Sequence, residues 1–307
     1  MTVHVGAQLP VNAIPGYRDD LDLAAVARHA EDLGLDSVWA GDRLAAPYPT
    51  LDPSLVLATA AAATTRIQVG YGVMLLALRS AAWAAKQIGT LQRLSGGRTV
   101  LGVGVGTGDP GEWAAAGVSP RGRGRRTERL LDLLPGLLAG ERTALTDLPG
   151  SPPVTLNPAV PVPEIWIGGG SEQALRRVVS HGQGWLAAMK PPKEVARCTG
   201  RLGELAAEHG VPAPRVSMHL HVRLLSHADP AASSRVADRL TAQYGMPRAL
   251  SGDVGVAGTP AQIAERLREY GDAGAERFVL VPFGEDGDDP FRQYELFARV
   301  RELLARD

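Results

Sequence analysis

The 307-residue chain is poor in several residue types, and each shortage excludes a class of protein. Its one cysteine, Cys198, cannot form an intrachain disulfide. Its formal net charge of -1 lacks the basic excess that nucleic-acid binding requires. Its longest apolar stretch, residues 54–63, is far shorter than the roughly 20 residues of a membrane span. Residues 1–5 do not begin an export signal, so we expect a soluble cytoplasmic protein that binds neither nucleic acid nor membrane.

Short runs rich in valine and isoleucine recur along the chain, and each precedes a stretch with helical periodicity. This alternation is typical of parallel strands covered by crossover helices. It favours a closed (β/α)8 TIM barrel, an α/β fold, over an open sheet, with residues 1–307 forming one domain. The eight predicted strands are Val3–Leu9, Ser37–Ala40, Ile67–Val73, Thr99–Val105, Glu164–Ile167, Gly184–Ala187, Val216–Leu224 and Arg277–Val281.

Two excursions interrupt this alternation. Residues 141–163 carry six prolines and almost no periodicity, which indicates a long loop. Residues 226–257 contain a helix-like segment, 230–244, followed by a glycine-rich stretch. Because insertions at strand ends often cover active sites, we expect insertion segments at the C-terminal face of the barrel.

Glycines mark two strand ends where a ligand could approach the backbone. Gly102, Gly104, Gly106 and Gly108 alternate along the fourth strand, but Thr107 and Asp109 break the spacing of a dinucleotide-binding motif. These glycines leave a strip of backbone without side chains. Such a strip is expected either where a flat ligand lies against the strand or where the barrel interior is closely packed. After the fifth strand, Gly168, Gly169, Gly170 and Ser171 precede a helix. Backbone amides at the start of a helix can bind an anion, so these residues predict a phosphate site. A tight turn that requires glycine is the alternative explanation for them.

Three carboxylates at strand ends are acid–base candidates: Asp42, Asp109 and Glu112. Asp109 precedes a proline, so its alternative role is to cap a helix. The alternative role of Asp42 is to form an ion pair with Arg43 or Arg79. Lys190 follows the sixth strand and either faces the same cavity or lies exposed at its rim.

His219 and His221 share one strand face. A packed or hydrogen-bonded pair is favoured there over a metal site, and we assign no metal ligand.

Five segments together resemble the bacterial-luciferase-like family of flavin-dependent and F420-dependent oxidoreductases. The likeness spans nearly the whole chain. The segments are residues 30–39 (AEDLGLDSVW), 65–70 (TRIQVG), 94–98 (LSGGR), 165–169 (IWIGG) and 258–260 (GTP).

The resemblance implies a barrel that holds the cofactor ring in its mouth, with a bulge of the third strand at Gly72 and Val73 supporting the ring. The phosphate-bearing tail is then expected at the loop 168–171. Gly106-Thr107-Gly108-Asp109 is similar to the Gly-Thr-Gly-Glu of F420-dependent sugar-phosphate dehydrogenases. The implied cofactor-binding residues are Asp42, Gly72, Val73, Gly104, Gly106, Thr107, Gly168, Gly169, Gly170, Ser171 and Lys190.

Many relatives carry Asp-His after the second strand, whereas this chain has Asp42-Arg43. An arginine cannot deprotonate an alcohol, but it can polarise a carbonyl or anchor an anion. The resemblance therefore implies an F420-dependent oxidoreductase that favours reduction of a small organic substrate, with Asp109, Glu112 and Arg43 as catalytic residues.

An FMN-dependent monooxygenase, supplied with reduced flavin by a partner reductase, is the alternative. A non-catalytic ligand-binding homologue is a second alternative. Relatives commonly form homodimers, so we expect a homodimer.

Overall fold

All eight predicted strands are present and close into a parallel barrel. The structure, a computed structural model, describes residues 3–11, 21–46, 48–106, 109–283 and 289–305. Each barrel strand pairs with the next, and the last barrel strand pairs with the first to close the ring. The barrel strands are β1 (His4–Gln8), β2 (Ser37–Ala40), β3 (Gln68–Met74), β4 (Thr99–Val103), β7 (Glu164–Gly168), β8 (Gly184–Ala188), β9 (Arg215–Leu224) and β11 (Arg277–Pro282).

Three short strands lie outside this ring, and the sequence pattern does not predict them. β5 (Thr143–Ala144) and β6 (Pro153–Val154) form an antiparallel pair, and β10 (Val256–Gly258) pairs with the end of β9. The described helices are α1 (Leu23–Asp32), α2 (Pro53–Ala63), α3 (Ala81–Leu94), α4 (Pro110–Ala115), α5 (Arg123–Leu138), α6 (Glu172–His181), α7 (Pro192–His209), α8 (Ala232–Tyr244), α9 (Arg248–Val254), α10 (Pro260–Asp272) and α11 (Pro290–Leu304). None of them is long and apolar enough to cross a membrane.

Capping residues determine where several helices begin. Asp22 accepts a hydrogen bond from the Ala25 amide at 3.0 Å and so starts α1. At α10, Thr259 and Gln262 bond to each other's backbone in a capping box, and Pro260 occupies the first turn. Such caps satisfy amides that have no partner within the helix, and this fixes the ends of the helices against the barrel.

The N-terminal end of the barrel is filled by side chains. The Arg277 guanidinium lies 5.1 Å from the ring centroid of Trp166 and 6.0 Å from that of Trp39. Burial lowers the pKa of Arg277 to about 10. Both tryptophans are fully buried and pack with Val100, Leu186 and Val279. These side chains close the barrel from below, so a ligand enters from the C-terminal face.

The two excursions lie in different places. Residues 141–163 run along α3, where Asp147 accepts from the Ala81 amide and Gln92 donates to the Pro161 carbonyl. None of the described residues that line the cavity comes from this segment, so a role for it in covering the active site stays a prediction. Residues 226–257 form α8, α9 and part of β10, and they bring Gln243 and Tyr244 to the cavity.

Candidate active site

A cavity of about 450 Å³ opens at the C-terminal ends of the barrel strands. Its apolar wall includes Val73, Leu75, Leu186, Met189, Val281 and Phe283. Its polar groups are Gln8, Asp42, Arg43, Tyr48, His219, His221, Gln243 and Tyr244. A mostly apolar cavity with a few convergent polar groups is the usual form of a small-molecule site.

The predicted bulge in β3 is confirmed at Gly72 and Val73. The pairing of β3 with β4 shifts register between Tyr71 and Met74, and the Gly72–Val73 peptide bond is cis. A methyl group on Gly72 would lie 2.5 Å from His219 Cε1, closer than real side chains approach. The His219 ring therefore packs directly against the backbone of the bulge, and Gly72, Val73 and His219 all line the cavity.

Gly104 lies against the bulge on the neighbouring strand connection. A methyl group on Gly104 would collide with the Val73 side chain. Gly104, Gly106 and Gly168 all line the cavity, as expected for a backbone strip, whereas Thr107 lies outside the described residues. A planar ligand can therefore approach the main chain along this wall.

The glycine loop after β7 leads directly into α6. Ser171 caps this helix by accepting a hydrogen bond from the Ala174 amide at 3.2 Å. Gly169 has a φ of 103°, which favours glycine, and its carbonyl accepts from Trp185 Nε1 at 2.5 Å. The Lys190 side chain lies directly over Gly170, where any side chain would displace it. A lysine beside a helix N-terminus is a suitable environment for a phosphate.

Asp42 is held by an arginine on the neighbouring strand connection. Its buried carboxylate accepts from Arg79 Nη1 at 2.5 Å, from Arg79 Nη2 at 3.1 Å and from the Leu75 amide at 2.8 Å. Of the two partners expected from the sequence, Arg79 is the one observed. This bidentate ion pair fixes the loop after β2 to the segment that follows the bulge.

Arg43 points into the cavity with two carboxylates behind it. Its Nε lies 3.4 Å from Glu112 Oε1, and its Nη2 lies 3.9 Å from Asp109 Oδ2. The Glu112 side chain is fully buried and also accepts from the Leu44 amide at 3.0 Å. Asp109 caps α4 through the Gly111 amide, as the capping interpretation predicts. Arg43 is among the described residues that line the cavity, whereas Asp109 and Glu112 are not.

The two histidines of β9 take separate roles. Burial lowers the pKa of His219 to about 3 and that of His221 to about 4, so both are neutral near pH 7. His219 packs edge-on against Trp39 at 5.4 Å. His221 Nε2 lies 2.9 Å from the Tyr244 hydroxyl. No group of three possible metal ligands occurs among the residues that the structure describes.

Sequence reasoning missed Gln8 and Tyr244 as cavity residues. Gln8 ends β1, and its position on the first barrel strand is the only sequence signal that would have indicated it. Tyr244 lies 23 residues from His221 and returns to the cavity through α8. The placement of that helix depends on tertiary packing, which no local pattern reveals.

The whole-chain comparisons agree with this geometry. An uncharacterized protein of Mycobacterium tuberculosis is 29% identical over 214 residues, covering 62% of this chain and 73% of that protein. An F420-dependent secondary alcohol dehydrogenase, solved with an F420–acetone adduct, superposes with a TM-score of 0.80 at 16% identity, covering 99% of both chains. The oxygenating constituent of 3,6-diketocamphane monooxygenase from Pseudomonas putida, solved with FMN, gives a TM-score of 0.78 at 18% identity, covering 100% of this chain and 99% of that one.

At these identities the likeness to solved structures shows a shared fold. The sequence itself is matched over residues 20–255 by the family model described as luciferase-like monooxygenase. The chain therefore belongs to the luciferase-like monooxygenase family.

Proposed function

We propose that this protein is an F420-dependent oxidoreductase, which transfers a hydride between a deazaflavin ring and a small organic substrate, with reduction favoured. The observation that carries the proposal is the cavity at the C-terminal ends of the barrel strands, where the Gly72–Val73 bulge meets a mostly apolar wall. A flat ring system with one polar edge fits such a cavity, because most of its wall is apolar and its polar groups are few.

The residues around the cavity also fit the other end of such a cofactor. The loop from Gly168 to Ser171 offers backbone amides at the start of α6, and Lys190 lies over it. The helix dipole and the lysine charge both favour an anion there. We propose this loop as the phosphate site and the bulge as the ring site. When bound, the cofactor supplies the hydride, and the protein supplies binding, orientation and electrostatics.

Arg43 is the residue that we propose contacts the substrate. A guanidinium is a hydrogen-bond donor and not a base, so Arg43 would polarise a carbonyl oxygen rather than remove a proton from an alcohol. Glu112 positions Arg43 from behind through the 3.4 Å contact. Asp109, whose side chain is 43% exposed at the rim, is our proposed proton carrier between solvent and the substrate oxygen.

An FMN-dependent monooxygenase is the second candidate, and the apolar wall favours it. The cavity wall beside the bulge is apolar, and such a wall would exclude water from a bound ring; its residues are Val73, Leu75, Leu186, Val281 and Phe283. Exclusion of water is what oxygen chemistry on a reduced flavin requires. Such an enzyme would need a partner reductase to supply the reduced flavin.

Equilibrium titration of the purified protein with F420 and with FMN, followed by cofactor fluorescence, separates the candidates. Binding of F420 in clear preference to FMN supports the proposal. Tight binding of FMN without F420 overturns it in favour of the monooxygenase, and binding of neither favours a non-catalytic homologue.

The phosphate site has its own test. Lys190→Gln should weaken F420 about 5-fold but leave a phosphate-free deazaflavin unaffected, because only the former carries the anion. Lys193→Gln is the matched control, since this lysine is exposed on α7, whereas the Lys190 side chain lies over Gly170. Equal losses for both ligands would contradict the phosphate assignment.

A further inference from the structure

Two buried polar atoms in the cavity floor have no hydrogen-bond partner among the described residues. They are Gln8 Oε1 and His219 Nε2. Each residue is only 8% exposed, and both line the cavity. Buried polar atoms are normally paired, so an unpaired atom that faces a cavity indicates a ligand that completes it.

Both side chains lie beside the Gly72 backbone. A methyl group on Gly41 would be 3.4 Å from Gln8 Nε2 and 3.5 Å from the Gly72 carbonyl oxygen. A methyl group on Gly72 would be 3.4 Å from His219 Nε2. The carboxamide and the imidazole therefore flank the bulge, where we propose that the cofactor ring binds.

The chemistry of these two groups is neutral and directional. A carboxamide carries no charge, and burial together with the neighbouring His221 lowers the pKa of His219 to about 3. The edge contact with Trp39 and the missing side chain at Gly72 fix the imidazole plane. The Gln8 carboxamide oxygen can accept a hydrogen bond, and the neutral His219 imidazole can donate one. The pair therefore suits an uncharged ligand edge that offers one donor and one acceptor.

We propose that Gln8 and His219 bind the cyclic imide edge of the cofactor ring. Gln8 Oε1 accepts from the ring N3–H, and His219 Nε2–H donates to an adjacent imide carbonyl. Flavins and deazaflavins share this edge, so the pair recognises the ring class and leaves the choice between F420 and FMN to other contacts. This inference rests on the proposed function, because it requires a ring in the cavity.

The decisive probe is FMN methylated at N3, which removes the donor that Gln8 needs. The wild type should bind FMN about 10-fold more tightly than 3-methyl-FMN, and in Gln8→Leu this preference should fall to about 2-fold. His219→Leu should weaken both F420 and FMN about 5- to 30-fold.

Gln87→Leu and His29→Leu are the matched controls, since each also removes a buried unpaired atom, on α3 and on α1, away from the cavity lining. Both controls should retain wild-type affinities within about 2-fold.

A second measurement uses only the wild-type protein and so does not depend on the folding of any variant. In protein labelled with nitrogen-15 at histidine, FMN should shift the His219 Nε2 resonance and leave that of His29 unmoved.

Equal binding of FMN and 3-methyl-FMN, or an unmoved His219 resonance at saturating FMN, overturns this inference while leaving the proposed function intact. Failure of the wild type to bind either cofactor overturns both.

Discussion

Gly72→Ala tests whether the bulge and His219 are packed as tightly as the structure shows. The added methyl group would lie 2.5 Å from His219 Cε1 and 3.4 Å from Trp39 Cε3. His219 cannot easily move aside, because it is buried and its ring packs edge-on against Trp39. His219 and Trp39 meet the methyl group with rigid rings, so the backbone of the bulge and these two rings must shift to make room for it.

The expected cost follows from overpacking in a filled core. Extra methyl groups in such places reduce the free energy of unfolding by about 1–3 kcal/mol. For a chain of this size that corresponds to a fall in melting temperature of about 2–5 °C, measured by circular dichroism. In the His219→Ala background the methyl group has room, so the two changes together should cost about 1 kcal/mol less than their sum.

Gly203→Ala is the matched control. Gly203 lies in α7, and a methyl group there would meet nothing within 4 Å. It should leave stability unchanged or raise it by up to about 1 kcal/mol, because alanine favours a helix. If Gly72→Ala has the melting temperature of the wild type, or if its effect adds fully to that of His219→Ala, the described packing of His219 against Gly72 is wrong.

Three further predictions concern charge. Asp42→Ala should lower the free energy of unfolding by about 3–5 kcal/mol in urea denaturation, because the largely buried Arg79 loses its counterion; a wild-type midpoint would show the pair to be dispensable. Burial alone would raise the pKa of Glu31, but three backbone amides lower it to about 2, so Glu31→Gln should destabilise by about 1 kcal/mol at pH 7, and that loss should vanish as the pH falls toward 2. A difference that persists in acid would contradict this. Burial lowers the pKa of His221 to about 4, so the unfolded chain protonates first below the ordinary value of 6.5. The wild type should therefore lose more stability than His221→Gln between pH 6.5 and pH 4, and parallel melting curves would refute the neutral assignment.

The barrel was predictable from sequence because short apolar runs, most of them containing valine or isoleucine, alternate with stretches of helical periodicity. Errors at strand ends have local causes. Ile67 was expected in the third strand, but its amide donates to the Glu31 carboxylate at 2.8 Å, so the strand begins at Gln68. The fourth strand ends at Val103, two residues earlier than expected, before Gly106 adopts a φ of 77°. Side-chain capping by a residue 36 positions away leaves no pattern in the strand itself.

The candidate site was predictable only in part. The bulge at Gly72 and Val73 followed from family resemblance and is present. Asp109 was expected either to act in catalysis or to cap a helix; it caps α4, with its other oxygen near Arg43, and its catalytic role stays a prediction. Gln8 and Tyr244 were missed because their significance depends on what the closed barrel places opposite them.

The most direct test of the account is a crystal structure of the protein grown with F420. We predict electron density for the ring against the Gly72–Val73 bulge, with the imide edge at Gln8 and His219 and the phosphate at residues 169–171. A ring bound elsewhere in the barrel, or a phosphate on the opposite side of the mouth from Lys190, would contradict the central claim.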